Sequence, residues 1–351
     1  MEKVIKEKKK RQRQELNYIR ALAIIGIVGI HVISSLCDSA ELNSGNYIMV
    51  TLLESIFRMC LPAFFILSGA LLIPSQITNI KDFYKKRITK IIPDFLFAAL
   101  LFTILHNINS SPFEIVKIYV LGLINVDIFT TFWFVYVILA LYLITPFISK
   151  MVHSLNNREK MYMIIIILMS FLVQTFCFNV KSTSYIIDNL MFTSNPGFFL
   201  LGGLIADLNI KKTKQREWML MISMIISVAA IIIIRLGSGY ISKNIYSNSI
   251  FMAIMAIDFF LIFSLDCFSV SSCISKWRIL SRLLDGISSL SYLIYLFHPI
   301  LLSVSLKLTA RVKMPLLVGI LCNLIITVIL SYIFTYVLYH LKGILCSLKK
   351  K

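Results

Sequence analysis

The sequence lacks the grammar of a metal or disulfide protein. Its seven cysteines stand singly at 37, 60, 177, 267, 273, 322 and 346, with no C-x-x-C and no His/Cys pair at ligand spacing. Most sit in apolar runs and read as small buried hydrophobes, so no metal site is expected. Acidic residues are scarce, 17 Asp and Glu against 35 Lys and Arg, for a net charge of +18. Nucleic-acid binding would gather that charge on one soluble module. Here the basic residues come in short clusters between apolar runs, the positive-inside pattern, so no nucleic-acid partner is expected. No linker or low-complexity tract interrupts the chain, and no piece outside the apolar runs is large enough to fold alone. A cleavable leader also fits poorly. The first apolar run is too long, no A-x-A-like site follows it, and Leu36 before Cys37 spoils a lipoprotein box. The first helix is expected to be retained.

What the sequence has in excess is apolar length. Of its 351 residues 58% are hydrophobic, and the mean hydropathy is +0.84. A soluble domain cannot hide that much apolar surface, so the fold class is an all-α, polytopic membrane protein whose partner is the lipid bilayer. Ten spans are expected, near 16–37, 47–73, 90–107, 132–149, 161–178, 190–208, 218–236, 249–267, 287–306 and 315–341. Residues 1–14 read as a basic arm, disordered or interfacial, 15–342 as one membrane domain, and 343–351 as a basic tail. The apolar run 113–124 is too short to span and reads as interfacial or re-entrant on the outer side. With both termini cytoplasmic, 26 of the 35 Lys and Arg fall inside, six outside and three within helices. Making 113–124 span would invert every later loop and put four basic clusters outside.

The first span carries Arg20 and His31, eleven residues apart. At about 3.6 residues per turn both lie on one face, roughly 16 Å apart along the axis. Asn17 extends that polar stripe. An ionisable side chain at the bilayer centre costs on the order of 3 kcal/mol, so the stripe faces protein or a water-filled cavity. Either Arg20 snorkels to the inner interface while His31 bonds within the bundle, or the pair belongs to a functional site. Glu54 and Arg58, at i and i+4, share a helical face and are expected to pair, as an internal strut or beside His31. Later, Pro299 frees the carbonyl four residues back in a stretch holding Tyr292, Tyr295 and His298. That stretch is either a cavity wall or a satisfied polar patch. Asp258 is left to partner Arg235 or water.

These residues carry a resemblance. Tyr18-x-Arg20 with His31 is similar to the first-helix motif of the acyltransferase family 3 integral membrane proteins. Arg58 ahead of Pro62-x-Phe64-Phe65-x-x-Ser68-Gly69 resembles that family's second helix. Phe132-Trp133-Phe134 with Leu141-Tyr142 and Pro146 resembles its Trp-Phe helix, and Ser291-Tyr292-x-x-Tyr295-Leu296-x-His298-Pro299 its late helix. The resemblance spans essentially the whole chain. It implies transfer of an acyl group, usually acetyl from acetyl-CoA as co-substrate with no bound cofactor, onto an envelope carbohydrate. The family's usual functional residues map to Arg20, His31 and Arg58. Glu54, Ser68, Trp133, Tyr292, Tyr295 and His298 are expected to line the substrates. With no fused extracytoplasmic SGNH-type domain, the chain looks closer to the short stand-alone group tied to surface-polysaccharide and intercellular-adhesin modification. The expected location is multi-pass in a bacterial plasma membrane. Histidine supplies a base at neutral pH, and arginine a permanent cation for an oxyanion or phosphates. The rival reading is a transporter of a polysaccharide or lipid-linked sugar. Such proteins often show two related halves, and no convincing internal repeat is visible here.

The arrangement is tested by single cysteines at Asn109 and Asn157 in a cysteine-free background. Asn109 is expected to react with an impermeant thiol reagent on intact cells, and Asn157 only after permeabilisation. Reaction at Asn157 from outside overturns the ten-span layout.

Overall fold

The computed structural model describes residues 2–37, 44–177, 194–208, 210–237, 245 and 249–348. Among them every regular element is helical. The first helix, α1, runs Glu2–Leu36 without interruption. The basic arm expected to be disordered or interfacial is therefore helical from its second residue. Lys, Glu, Arg and Gln are good helix formers, and no Gly or Pro occurs before Gly26. Arg11 pairs with Glu15 one turn on, at 3.3 Å, and also reaches Asp266 and Ser272 on a distant segment.

Two helices, α2 (Ser44–Arg58) and α3 (Cys60–Leu72), form one span with a break at Met59. Pro62 has no N–H for the carbonyl of Arg58, so the ladder is interrupted there. Helix α4 covers Ile80–His106 and begins ten residues before the expected span. Its start is fixed by Asn79, whose side chain accepts from the Asp82 N–H at 3.2 Å. The basic cluster assigned to a loop thus rides on the first turns of α4, which carries Arg87 into the bundle. Helix α5 (Pro112–Asn125) opens with a Ser111/Glu114 capping box, packs on α4 and buries none of its residues. The run read as interfacial or re-entrant is this short surface helix.

The remaining helices are α6 (Trp133–Ser154), α7 (Asn157–Cys177), α8 (Asn195–Asp207), α9 (Lys214–Gly237), α10 (Ile250–Ser264), α11 (Val270–Lys276), α12 (Arg278–Thr309) and α13 (Leu316–Leu348). Among the described residues, eight helical stretches are long and apolar enough to cross a membrane. A ninth candidate is α10 with the segment Cys267–Lys276, bent by 72°. Positive φ at Asp266, Phe268 and Ser269 makes that bend. The span expected over 190–208 is represented by α8, which has 13 residues; residues 190–193 lie outside the described set.

Helix α1 is central and packs on α2, α3, α10, α12 and α13. The tightest crossing lies beside it, between α3 and α8. A methyl group at Gly69 would overlap the carbonyl oxygen of Phe199, and one at Gly202 would overlap that of Ile66. Two backbones meet there with nothing between them, the packing that small residues permit in membranes.

Backbone cannot yield as a flexible side chain does, so Gly202→Val is expected to destabilise by about 3 kcal/mol or more. Gly319→Ala, whose methyl meets nothing within 4 Å, is expected to leave stability unchanged. Thermal unfolding of the two variants in detergent checks this, and equal melting temperatures would refute the crossing.

Candidate active site

The chemistry-bearing side chains gather at two levels along α1. At one level His31 lies beside His298 of α12, with ring centroids 5.1 Å apart and planes inclined by 40°. His298 is wholly buried, at 0% exposure, and His31 is half-buried. Pro299 explains how the buried ring is held. It cannot donate to the carbonyl of Tyr295, and His298 Nδ1 occupies that carbonyl instead at 2.7 Å. A carbonyl only accepts, so the proton sits on Nδ1 and the neutral ring keeps its lone pair on Nε2. That Nε2 is buried and, among the described residues, has no hydrogen-bond partner. In the stretch read as either a cavity wall or a satisfied polar patch, the proline thus sets a histidine tautomer within a continuous helix.

Arg58 stands within Coulombic range of His31. Its Nε and Nη2 both reach Glu54 Oε1 at 2.7 Å, so the expected i, i+4 pair is formed. Glu54 is shared: its second oxygen faces Arg235 Nη2 of α9 at 3.9 Å. Arg235 in turn lies over the ring of Tyr47, 5.6 Å from its centroid. Asp258, the partner considered for Arg235, instead accepts from Ser223 at 2.7 Å.

At the other level Arg20 lies in Coulombic range of Tyr142 and Arg87. The Arg87 guanidinium sits 5.9 Å from the Tyr142 ring centroid and 5.6 Å from that of Phe83. Among the described residues neither Arg20 nor Arg87 has a carboxylate within ion-pair distance. Two cations thus share this part of the bundle with a tyrosine and a phenylalanine and no acid at ion-pair distance. Tyr292 adjoins this level, donating to the Ile91 carbonyl at 2.9 Å. Tyr295 lies between the levels. Its hydroxyl donates to the Thr131 carbonyl, and its ring packs on Phe134 at 4.9 Å and on His298 at 5.9 Å.

The structure therefore brings His31, His298, Arg58 and Glu54 together, with Arg20 and Tyr292 at the second level. Ser68 and Trp133 stand apart. Ser68 donates to the Phe64 carbonyl of its own helix at 2.9 Å. Trp133 packs on Phe134 and is 36% exposed. Among the described residues neither makes a hydrogen bond or ring contact with the histidine pair.

Sequence reasoning missed Arg87 and Arg235. Arg87 was hidden inside the run Lys85-Lys86-Arg87, which reads as a cytoplasmic cluster. The signal for an earlier helix start was Asn79 three residues before Asp82, a capping pattern. Arg235 was visible as an intramembrane cation, yet nothing in the sequence chose Glu54 over Asp258 as its partner.

Removing an acid that faces two half-buried cations takes away the carboxylate that both share. Glu54→Ala is expected to lower stability by about 3 kcal/mol, and Glu54→Gln by less. Chemical denaturation in detergent reads the difference, and a Glu54→Ala protein as stable as the wild type would show that the cluster contributes nothing.

Neither a curated protein nor a solved structure matches the chain. A family model described as an acyltransferase domain, of acyltransferase family 3, matches residues 13–337. That span takes in α1 from its basic turns through most of α13, and with it both levels of ionisable side chains. The chain belongs to acyltransferase family 3 and is a multi-pass membrane acyltransferase.

Proposed function

We propose that this acyltransferase moves an acetyl group from cytosolic acetyl-CoA to a hydroxyl of an envelope carbohydrate. The observation that supports this most is the histidine pair beside Arg58: two adjacent imidazoles, one with its tautomer fixed, next to a permanent cation. The hydroxyl gives its proton to His31 as its oxygen attacks the thioester carbonyl. The carbonyl oxygen gains negative charge, which Arg58 stabilises. The carbon–sulfur bond then breaks, and the CoA thiolate takes the proton from His31. His298 holds His31 in place and offers Nε2 as a second proton acceptor in the buried wall.

The donor enters from the level of Arg20 and Arg87, whose guanidiniums suit its phosphates. The two levels lie roughly 16 Å apart along α1, a span that an extended pantetheine arm covers. In this reading both termini face the donor's side, ten spans cross the bacterial plasma membrane, and the acceptor approaches from outside at the His31 end.

His31→Gln keeps hydrogen bonding but cannot carry the proton, and is expected to lower acetyl transfer by about 10²–10⁴-fold at normal protein abundance. Transfer is read as alkali-labile acetate on surface polysaccharide, with labelled acetyl-CoA supplied to membrane vesicles. Transfer by His31→Gln at the wild-type rate would remove His31 from the chemistry.

A further inference from the structure

A cavity of about 250 Å³ opens between α1, α2 and α9, one helical turn from His31. Ser34 stands on its rim, three residues beyond His31 on α1. Glu54, Arg235, Tyr47 and Cys37 line it. The volume falls below the ~300–1,000 Å³ of drug-sized sites, so the space suits one ring-sized unit and not a packed chain.

Its polar groups are arranged in a particular order. The Glu54 carboxylate, which only accepts, lies 3.9 Å from the Arg235 guanidinium, which only donates. Neighbouring hydroxyls on a ring match that pair, since one can donate to Glu54 while the next accepts from Arg235. The pair is held from behind. Arg58 fixes Glu54 at 2.7 Å, and Tyr47 holds the α9 end by donating to the Arg235 carbonyl at 3.3 Å. Ile33 and Val50 supply the apolar wall that the face of a sugar ring requires. Arg58, which holds Glu54, also stands within Coulombic range of His31, so a unit seated here shares a charged neighbour with the proton acceptor.

We infer that this cavity is the acceptor subsite, and that Tyr47, Glu54 and Arg235 select a sugar unit through two adjacent hydroxyls. The inference rests on the acyl-transfer reading above for its purpose, while its geometry stands without that reading. Cys37 on the cavity wall provides a reporter that needs no turnover.

In the intact chain in detergent, alkylation of Cys37 is followed by mass spectrometry with glucose or N-acetylglucosamine present, and with cyclohexanol, a ring with a single hydroxyl, as the control. Both sugars are expected to slow alkylation of the wild type, and the control is not. Tyr47→Ala and Arg235→Gln are expected to lose the protection. Ser34→Leu narrows the exposed rim without altering the ion-pair cluster, so it keeps the test valid if Arg235→Gln fails to fold. In transfer assays Tyr47→Ala should raise the acceptor KM by about tenfold, the effect of one lost hydrogen-bonding pair, and Ser34→Leu should raise it by obstructing entry, with donor KM unchanged in both. Unaltered Cys37 alkylation in the presence of either sugar overturns the inference. So does a rise in donor KM with acceptor KM constant. Protection without any acetyl transfer by the wild type would uphold the subsite and remove the proposed function.

Discussion

The bundle depends on a first helix that cannot face lipid. Asn17, Arg20 and His31 form a polar stripe on α1, and side chains of α2, α4, α6 and α12 answer parts of it. Asp285 of α12 accepts from Asn17 at 3.0 Å, and Ser281 meets the Tyr18 hydroxyl at 2.9 Å. Tyr142 of α6 and Arg87 of α4 lie beside Arg20, while His298 and Arg58 flank His31. Desolvating such groups against hydrocarbon is costly enough to decide which surfaces pack. The apolar residues between them, among them Ile19, Ala23, Ile27 and Val28, are buried because the stripe has already drawn protein to every side.

Pro299 shows how a nominal helix breaker becomes a positioning device. A proline in a soluble helix exposes a carbonyl to water, but at this depth there is none to bond it. The vacancy is filled by the side chain immediately before the proline, and His298 loses its rotational and tautomeric freedom as a result. Pro62 interrupts the ladder of the second span close to Arg58, which lies at the end of α2. One proline thus sets the side chain that meets His31, and the other breaks the neighbouring span just after Arg58.

Much of this was legible in the sequence. The helical class followed from hydropathy, and the ionisable groups worth attention could be named because charge is so rare within apolar runs. The pairing of Glu54 with Arg58 followed from their spacing alone. What spacing could not supply was contact between distant segments. Nothing local brings His298 to His31, or Arg235 to Glu54, because those meetings depend on how helices cross. The start of α4 was misplaced since hydropathy marks where lipid begins, whereas Asn79 marks where hydrogen bonding begins. The helical basic arm was missed for the same reason. Its distant anchors at Asp266 and Ser272 come from the bend after α10.

The glycine crossing of α3 on α8 has a mechanical consequence. Where each carbonyl rests on the other helix's glycine, sliding or rolling would drive backbone into backbone. The two helices therefore form a single strut, and any alternating exposure of the site to the two sides of the membrane must occur around it. The element least held by burial lies elsewhere, in α5, which has no buried residue. A catalytic cycle in this protein would be a motion of the periphery about a fixed keel.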